Sequence, residues 1–470
     1  LLGEEAFRRG LDAYFSAHDG GAATVEDLLA AMAQASGRDL SQFLRWWEQP
    51  GTPRIEADEA FDSTTGNYTL TLRQHGADTE KPLHIPLALA FYDRAGHHIA
   101  TPPQTDAAFR PGLIELRDHE HVLHLRGLAE KPLPAFLQGL SAPVRLDFDY
   151  TPQQLARLVR VEADPLTRWE AMQQLSRLAV LAGEEQTQAR IALASAQADL
   201  LDDAQADPAF IAECLMLPDV WDLSSDMPLL DIDALWRSRE AVLNALAHLQ
   251  ADRLRSRYDA LTDAASSGLD GRSAAARRLR NLCLQRLVRI ERDGDRAATQ
   301  FYAADTLTDR LAALATLVHG GLPQADAALR MFAQRYRDDA LTTDKWLSLV
   351  VTAPRADVTD TVTTLLDGHY WQPTNPNRVR AVLGAFARGN LPAFHRPDGA
   401  GYALFFAQLP RLDTINPQIA ARHLSLLENW RRLDDNRRNR LGAHLAALEP
   451  QLASRDSREM LARLRGAVAG

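Results

Sequence analysis

Lysine and cysteine are scarce in this chain of 470 residues. It holds two cysteines and, among its 52 basic residues, the lysines Lys81, Lys131 and Lys345. Cys214 and Cys283 both lie in apolar helical patterns, so we expect buried free thiols and exclude a disulfide framework. Arginine stays charged and can bind carboxylates through two hydrogen bonds, although genomic base composition is the simpler reason for its excess.

Long apolar runs and an excess of positive charge are also missing. No stretch approaches the roughly twenty apolar residues that a membrane span requires. The net charge of −10 opposes non-specific binding of nucleic acid, which needs a cationic surface. We expect no membrane or nucleic-acid partner and, without a signal-peptide pattern, a cytoplasmic location. Because the chain opens within a helical pattern at Leu1, we expect a piece of a longer protein, with a processed protein as the alternative.

Two kinds of periodicity divide the chain, whose length favours two to four domains. Up to Glu48 the apolar residues follow helical spacing, and Pro50 then ends the helix, so residues 1–53 are predicted to be a short helical tail. From residue 54 to 150, apolar and polar residues alternate. About seven short strands in this span predict a small antiparallel β-sandwich of immunoglobulin-like type.

Residues 151–470 have the pattern of one helix after another, joined by short linkers. Five helix starts share one signature, in which a side-chain oxygen that can cap the helix precedes a proline at the first helical position. They are Thr151-Pro152, Asp164-Pro165, Asp207-Pro208, Asn375-Pro376 and Asn416-Pro417. Because no regular period is present, we predict a large all-α superhelix of irregular repeats, similar to HEAT or armadillo arrays and with a concave face.

No catalytic motif is complete in this sequence. A zinc-binding H-E-x-x-H helix needs two histidines one turn apart, but the string HEHVLH from His119 to His124 has the wrong spacing and lies in the strand region. Phosphate-binding, dinucleotide-binding and nucleophile-elbow motifs are absent as well. We therefore expect no catalytic residue and no metal site in this chain, and we interpret the histidine string as a solvated strand face.

The best candidates for a binding role are polar residues near the last two Asn-Pro starts. In the helix that begins after Asn375, Arg380 lies one turn inside, and apolar spacing leaves Arg378 and Arg380 on different flanks. Gln418 and Arg422 share a face of another helix at spacing i, i+4. Free amides at the helix starts add partial positive charge. Four residues are therefore predicted to bind the carboxylate end of a peptide: Asn375, Arg380, Gln418 and Arg422. The alternative is that the arginines pair with Asp or Glu on neighbouring helices.

Four segments together resemble the C-terminal half of bacterial members of the aminopeptidase N family, which are zinc-dependent, gluzincin-type metallopeptidases of the M1 family. The segments are DLSQFLRWWEQPGTP at 39–53, HIPLALAFYD at 84–93, NPNRVRAVLGAFA at 375–387 and NPQIAARHL at 416–424. The resemblance covers essentially the whole chain but omits the family's zinc-binding part. It implies that residues 1–53 are the tail of the thermolysin-like catalytic domain, and that 54–150 and 151–470 are two further domains.

The resemblance also implies a role for the binding candidates. In this family the helical domain caps the catalytic cleft, and residues at the positions of Arg380, Gln418 and Arg422 line the enclosed cavity. Zinc would lie in the missing catalytic domain, so this chain is expected to hold no cofactor and to be inactive alone. Its partners would be peptide substrates and the catalytic domain of the same polypeptide. A non-catalytic interaction scaffold, built from the sandwich and the helical array, is the alternative that composition and periodicity fit equally well.

Overall fold

The computed structural model describes the chain except for residues 77, 79, 100–103, 106–111, 182–185, 263–267 and 467–470. The chain divides into two compact units, Leu1–Leu175 and Ser176–Gly470. The predicted domain limits at 53/54 and 150/151 stay a prediction. No helix in the described part of the chain is both long enough and apolar enough to cross a membrane.

The first unit contains eight strands among its described residues. In chain order they are β1 Arg54–Asp62, β2 Asn67–His75, β3 Ile85–Tyr92, β4 Gln104–Thr105, β5 Leu113–Leu116, β6 Glu120–Arg126, β7 Leu133–Phe136 and β8 Arg145–Asp147. One sheet has the order β4-β6-β2-β1-β8, and the other has the order β5-β3-β7.

The two sheets share one buried apolar core. Alternation along β2 buries Tyr68, Leu70 and Leu72 completely, because successive side chains of a strand point to opposite faces. Gly66 forms the tight turn before this strand, with φ of +70°, and a β-carbon there would lie 2.6 Å from the carbonyl oxygen of Leu128. The β-sandwich that the alternating pattern predicts is confirmed.

The last strand of the sandwich is shorter than the alternation of residues 144–150 suggests. β8 ends at Asp147 and pairs with β1 in parallel, whereas the other described strand pairs of the sandwich are antiparallel. Beyond it, the rings of Phe148 and Tyr150 pack against Phe136, with centroids 5.2 and 6.4 Å from that ring. The Tyr150 hydroxyl donates to the carbonyl oxygen of Pro134 at 2.8 Å. Because these rings pack on Phe136, the chain leaves the sheet after Asp147.

The helical tail packs on the sandwich within the first unit. It consists of α1 Glu4–His18, α2 Val25–Ser36 and α3 Arg45–Glu48. The indole nitrogen of Trp46 donates to the carbonyl oxygen of His84 at 3.0 Å. Arg38 donates to both carboxylate oxygens of Glu115, at 2.5 and 2.6 Å. Burial raises the pKa of Glu115, but the hydrogen bonds from Arg38 and Arg117 outweigh it and bring the pKa to about 2.

After the sandwich, the described chain is helical. The helices are α4 Pro152–Val161, α5 Pro165–Leu181, α6 Gln186–Asp202, α7 Pro208–Leu215, α8 Val220–Leu223, α9 Ile232–Leu249, α10 Ala251–Ala260, α11 Gly271–Glu291, α12 Asp295–Ala303, α13 Leu307–His319, α14 Ala325–Arg335, α15 Ala340–Thr352, α16 Val358–Asp367, α17 Pro376–Val379, α18 Ala385–Gly389, α19 Leu391–Phe394, α20 Ala400–Ile415, α21 Pro417–Leu424, α22 Asp435–Leu448 and α23 Arg455–Leu464. Arg380–Gly384, between α17 and α18, forms a π-helical segment. Cys214 and Cys283 are buried free thiols, as predicted.

The five predicted Pro-led helix starts are confirmed, because α4, α5, α7, α17 and α21 each begin at the proline. The side-chain oxygen of Asn375 accepts from the backbone amide of Asn377 at 3.0 Å. In the same way, Asn416 accepts from the amide of Ile419 at 3.2 Å. Each cap satisfies an amide that has no partner inside the helix, so the sequence signature reflects a local requirement.

Two arginines, Arg432 and the buried Arg437, join distant parts of the second unit. Arg437 of α22 donates to a carboxylate oxygen of Asp233 and to the carbonyl oxygen of His395, both at 2.6 Å. Arg432 donates to the carbonyl oxygen of Met227 at 2.9 Å. These hydrogen bonds connect the C-terminal helices to the loop and helix near residue 230.

Candidate functional site

A cavity of about 730 Å³ lies within the second unit, between three helical stretches. These are α15, the continuous stretch from α17 through the π-helical segment to α18, and α21. π-Helical turns are rare and are frequent at functional sites. The cavity therefore combines a suitable size for a small ligand with an irregular wall.

Four cationic side chains line this cavity: Lys345, Arg380, Arg388 and Arg422. All four are exposed, and among the described residues none has a carboxylate oxygen within 4.0 Å. The acidic group in the described lining is Asp344, which forms an ion pair with the buried side chain of Arg378. The cavity thus has a surplus of positive charge that the described protein does not neutralise, and this favours an anionic ligand.

Arg378 and Arg380 show why the charge is distributed in this way. Arg378 is buried and donates to Asp344 at 2.6 Å and to the carbonyl oxygen of Tyr370 at 2.9 Å. Arg380 lies on the other flank and donates to the side-chain oxygen of Asn377 at 3.3 Å. The pairing between helices, left open as the alternative for the arginines, therefore applies to Arg378. It does not apply to Arg380 within the described residues.

His423 is a buried, half-satisfied group in the cavity wall. His423 is 4 % exposed, and Nδ1 of its ring lies 2.8 Å from the carbonyl oxygen of Ile419. Since a carbonyl oxygen can only accept, Nδ1 carries the proton. Nε2 is buried and has no hydrogen-bond partner among the described residues.

The electrostatic surroundings keep the His423 ring neutral. Burial lowers its pKa, and the nearby guanidinium groups of Arg380 and Arg422 lower it further. The carbonyl groups of Ile419 and Val379 oppose this shift but do not outweigh it. Near neutral pH, Nε2 is therefore an acceptor for which the described part of the chain supplies no donor.

The four predicted substrate-binding residues separate in the structure. Arg380 and Arg422 line the same cavity, although they lie on different helices. Gln418 is exposed on α21 and is not part of the described lining, and the side-chain oxygen of Asn375 is used as a helix cap. The role of all four in binding stays a prediction.

Three further residues of the site were not singled out from the sequence. Arg388 lies about two helical turns beyond Arg380, and His423 directly follows Arg422, so local spacing could have indicated both. Lys345 comes from α15, and only tertiary packing brings it to the cavity. No local signal in the sequence points to it.

A second cavity of about 860 Å³ adjoins the first, since Thr352 and Gly389 line both. Its charged groups are paired, in contrast to those of the first cavity. The pairs are Arg289 with Glu240 at 2.8 Å, Arg355 with Asp326 at 2.7 Å and Arg396 with Asp398 at 2.6 Å. The contrast makes the first cavity the candidate for an anionic ligand.

The described residues offer no site for a zinc ion. No three His, Cys, Asp or Glu side chains in the described part lie close enough together to hold a metal. In the HEHVLH string, Glu120 pairs with Arg73 at 2.8 Å, and Nδ1 of His124 lies 3.2 Å from the Thr69 hydroxyl. Both side chains are exposed on β6, as expected for a solvated strand face. The described residues therefore do not fit a zinc ion, which the family resemblance assigns to the catalytic domain.

Comparison with protein families identifies both parts of the fold. The family described as "Domain of unknown function (DUF3458_C) ARM repeats" matches residues 152–466. The chain belongs to this family. A second family, "Domain of unknown function (DUF3458) Ig-like fold", matches residues 51–149. The predicted fold class, an immunoglobulin-like sandwich followed by an irregular helical array, is confirmed.

Several curated proteins named aminopeptidase N are similar to this chain. The chain is 36% identical over 462 residues to aminopeptidase N of Escherichia coli, which amounts to 96% of this chain and 53% of that protein. It is 33% identical over 450 residues to aminopeptidase N of Haemophilus influenzae, covering 93% of this chain and 51% of that protein. The chain spans about half the length of the curated relatives it matches, and it corresponds to the C-terminal part of an aminopeptidase N, which confirms the predicted resemblance.

A solved structure agrees with this assignment. The crystal structure of Legionella pneumophila aminopeptidase A in complex with aspartic acid matches with a TM-score of 0.84 and 25% identity. The match covers 99% of this chain and 55% of that one. The order of sandwich and helical array is therefore shared along the whole length of this chain.

Proposed function

We propose that this chain is the part of a zinc-dependent aminopeptidase that encloses the substrate cavity, and that it does not hydrolyse peptides alone. The parent reaction removes N-terminal residues from peptides, and zinc supplies the activated water from the catalytic domain of the same polypeptide. Relatives that are aminopeptidases and about twice as long support the proposal. A cytoplasmic location is part of it.

One observation carries the proposal. Arg380 and Arg422 come from separate helices, converge on one cavity and have no carboxylate partner among the described residues. Arginine presents a rigid fork of N–H donors that matches a carboxylate, and a charge-assisted hydrogen bond is roughly twice as strong as a neutral one. The arrangement suits the carboxylate end of a peptide, with Lys345 and Arg388 adding to the attraction.

In this function the chain's own residues bind and orient the substrate. A peptide held at its carboxylate end loses translational freedom, so its amino end is presented to the catalytic domain at a higher effective concentration. Gln418 and Asn375 remain proposed contacts at the rim of this site. An enclosed cavity also excludes bulk water and folded chains from the reacting bond.

The test compares this chain with the product of the complete gene. Both are assayed with added zinc for hydrolysis of alanine and arginine β-naphthylamides. We expect activity in the longer protein only. Activity in this chain would reveal a catalytic site within it and contradict the proposal. If neither protein hydrolyses these substrates, the interaction scaffold is favoured instead.

A further inference from the structure

Contacts between two walls of the cavity show how its cationic side chains are spaced. The helix α15 runs beside the stretch from α17 to α18 in the same direction, because their contacts follow the same order along both. The matching positions are Asp344 with Arg378, 2.6 Å apart, Ser348 with Ala381, 3.2 Å from hydroxyl to carbonyl oxygen, and Thr352 with Gly389, where an added β-carbon would lie 2.6 Å from Cγ2 of the threonine.

Three cations lie near the first half of this stretch. Lys345 and Arg380 belong to the first matching position, since each is within two residues of it. Arg422 comes from α21, where Nε2 of the next residue, His423, lies 3.6 Å from a β-carbon built on Gly384. The side chains of Lys345, Arg380 and Arg422 all line the cavity. We call these three residues the first cationic group.

Arg388 lies at the other end of the cavity. It is eight residues beyond Arg380, and this spacing corresponds to roughly 12 Å along a helix axis. It directly precedes Gly389, at the last matching position with α15. Arg388 lines the cavity and is exposed, and no carboxylate in the described part of the chain pairs with it. The cavity therefore offers two separate positions for negative charge.

One carboxylate cannot occupy both positions. Its two oxygens provide about four acceptor sites, which the forked donors of Arg380 and Arg422 can fill. It also brings a single negative charge. When only the carboxylate end of a peptide is bound at the first cationic group, Arg388 is left without a counter-charge. A second anionic group on the same ligand would be stabilised there.

We propose that the cavity binds acidic peptides at two points, with the C-terminal carboxylate at the first cationic group and an acidic side chain at Arg388. This inference rests on the proposed function, because it takes the cavity to be the peptide site. An extended chain advances roughly 3.3–3.6 Å per residue, so a glutamate two residues before the last is about 7 Å away and its side chain covers the remaining distance. Arg388 is a specificity-determining residue and takes no part in bond breaking.

The second cavity limits where an acidic residue is favoured. Thr352 and Gly389 line both cavities, so a peptide that passes Arg388 enters the second one. There Arg355 and Arg396 already pair with carboxylates of the protein, at 2.7 and 2.6 Å. An acidic side chain would find its counter-charge occupied. The substrate class is therefore a peptide with an acidic residue near its C-terminal end, and not an acidic peptide of any pattern.

Three acetylated tripeptides test the two positions. They are acetyl-Glu-Ala-Ala, its neutral counterpart acetyl-Gln-Ala-Ala, and the C-terminal amide of the latter. Binding of each to this chain is measured by calorimetry near pH 7.5 and at low salt. We expect the glutamate peptide to bind roughly fivefold more tightly than the glutamine peptide, because it adds an ion pair at Arg388. The net charge of −10 alone would favour the less acidic peptide, so this preference reports on the cavity.

Substitutions of exposed arginines assign the preference to one residue. Arg388→Gln should bind both acids equally, at the affinity that the unchanged chain shows for the glutamine peptide. Arg422→Gln should weaken both acids to a similar extent and keep the fivefold preference, since it acts on the shared carboxylate end. The control Arg411→Gln, on α20 and outside the described lining, should change neither affinity. Raising the salt to about 0.5 M should reduce the preference by screening.

The outcomes separate this inference from the proposed function. Equal binding of the two acids to the unchanged chain, or a preference that persists in Arg388→Gln, would overturn the role of Arg388. If the glutamine peptide still bound more tightly than its amide in that case, the carboxylate site would stand. Equal binding of that acid and its amide, or no binding of either, would instead contradict the proposed function itself.

Discussion

Arg378 and Arg380 lie two residues apart but have different surroundings. Helical spacing predicts that they occupy different flanks, and the structure agrees. Spacing could not indicate which arginine is neutralised, because the carboxylate of Asp344 reaches Arg378 from another helix. The sequence therefore predicts on which flank of the helix each arginine lies, but it does not predict the group with which each arginine pairs.

We predict that Arg422→Glu in the longer protein raises KM for peptides more than it changes turnover of a minimal arylamide. A reversed charge removes a charge-assisted hydrogen bond to the carboxylate end, so the KM for a tetrapeptide should rise roughly tenfold or more. An arylamide has no carboxylate and cannot lose this contact. Steady-state kinetics with both substrates measures the difference.

A control for the Arg422 substitution is Arg411→Glu on α20. Arg411 is exposed, is not part of the described lining of the cavity and makes no ion pair among the described residues. Arg411→Glu changes the net charge by the same amount as Arg422→Glu but lies outside the cavity lining. The kinetics with peptides should therefore stay near those of the unchanged enzyme. An equal effect of Arg422→Glu on peptide and arylamide would count against a contact with the substrate end.

His395 provides a residue-scale prediction about stability. Its ring is buried beside the Tyr402 hydroxyl, 2.8 Å from Nδ1, and burial together with the Arg437 guanidinium lowers its pKa to about 3. The ordinary pKa of histidine is about 6.5. Below that pH, this ring binds a proton in the unfolded state but not in the folded state. Stability is therefore complete above pH 6.5 and falls as the pH decreases towards 3. One such group contributes up to about 1.4 kcal/mol per pH unit.

We predict that His395→Gln reduces the pH dependence of unfolding between pH 6.5 and 5. Urea unfolding at several pH values gives the slope of the unfolding free energy for each protein. The exposed residue His248 supplies the control, since His248→Gln should keep the original slope. An unchanged slope in His395→Gln would mean that this ring is not the neutral, buried group described above.

Among the helices and strands, features that depend on adjacent residues could be predicted from the sequence, whereas features that depend on tertiary packing could not. The five Pro-led helix starts follow from capping and from the missing N–H of proline, both of which are visible in two adjacent residues. The early end of β8 follows from the packing of Phe148 and Tyr150 on Phe136, which lies on β7. The π-helical turn at Arg380–Gly384 likewise has no signature in the apolar spacing, although it forms part of the cavity wall.

The start of α17 yields a prediction that separates two roles of Asn375. As a cap, its side-chain oxygen satisfies the amide of Asn377, so Asn375→Ala should lower the unfolding free energy by about 1 kcal/mol. Asn375→Asp keeps the capping oxygen and should restore stability. Urea unfolding of the three proteins measures this.

Peptide affinity of Asn375→Asp then reports on the proposed substrate contact. A carboxylate at this position would repel the carboxylate end of a bound peptide and weaken binding if Asn375 lies against it. Affinity equal to that of the unchanged chain would leave Asn375 with its capping role alone. Loss of stability in Asn375→Asp as large as in Asn375→Ala would contradict the cap.

For the whole molecule, the order of folds was predictable and the site was predictable in part. The change of period near residue 53, and the family-like segments, were enough for a sandwich followed by a helical array. Arg380 and Arg422 were found because each follows an Asn-Pro start. The position of Lys345 in the cavity, and the lack of a partner for Nε2 of His423 among the described residues, depend on how the helices pack, which no local pattern encodes.

One kinetic comparison shows whether the cationic cavity binds the carboxylate end of a peptide. In the longer protein, kcat/KM is measured for a tetrapeptide with a free carboxylate and for the same peptide as its C-terminal amide. The unchanged enzyme should prefer the free acid by roughly tenfold, and the double variant Arg380→Glu, Arg422→Glu should lose this preference. Equal rates for acid and amide in the unchanged enzyme, or a preference that survives in the double variant, would mean that Arg380 and Arg422 do not bind the carboxylate end of the peptide.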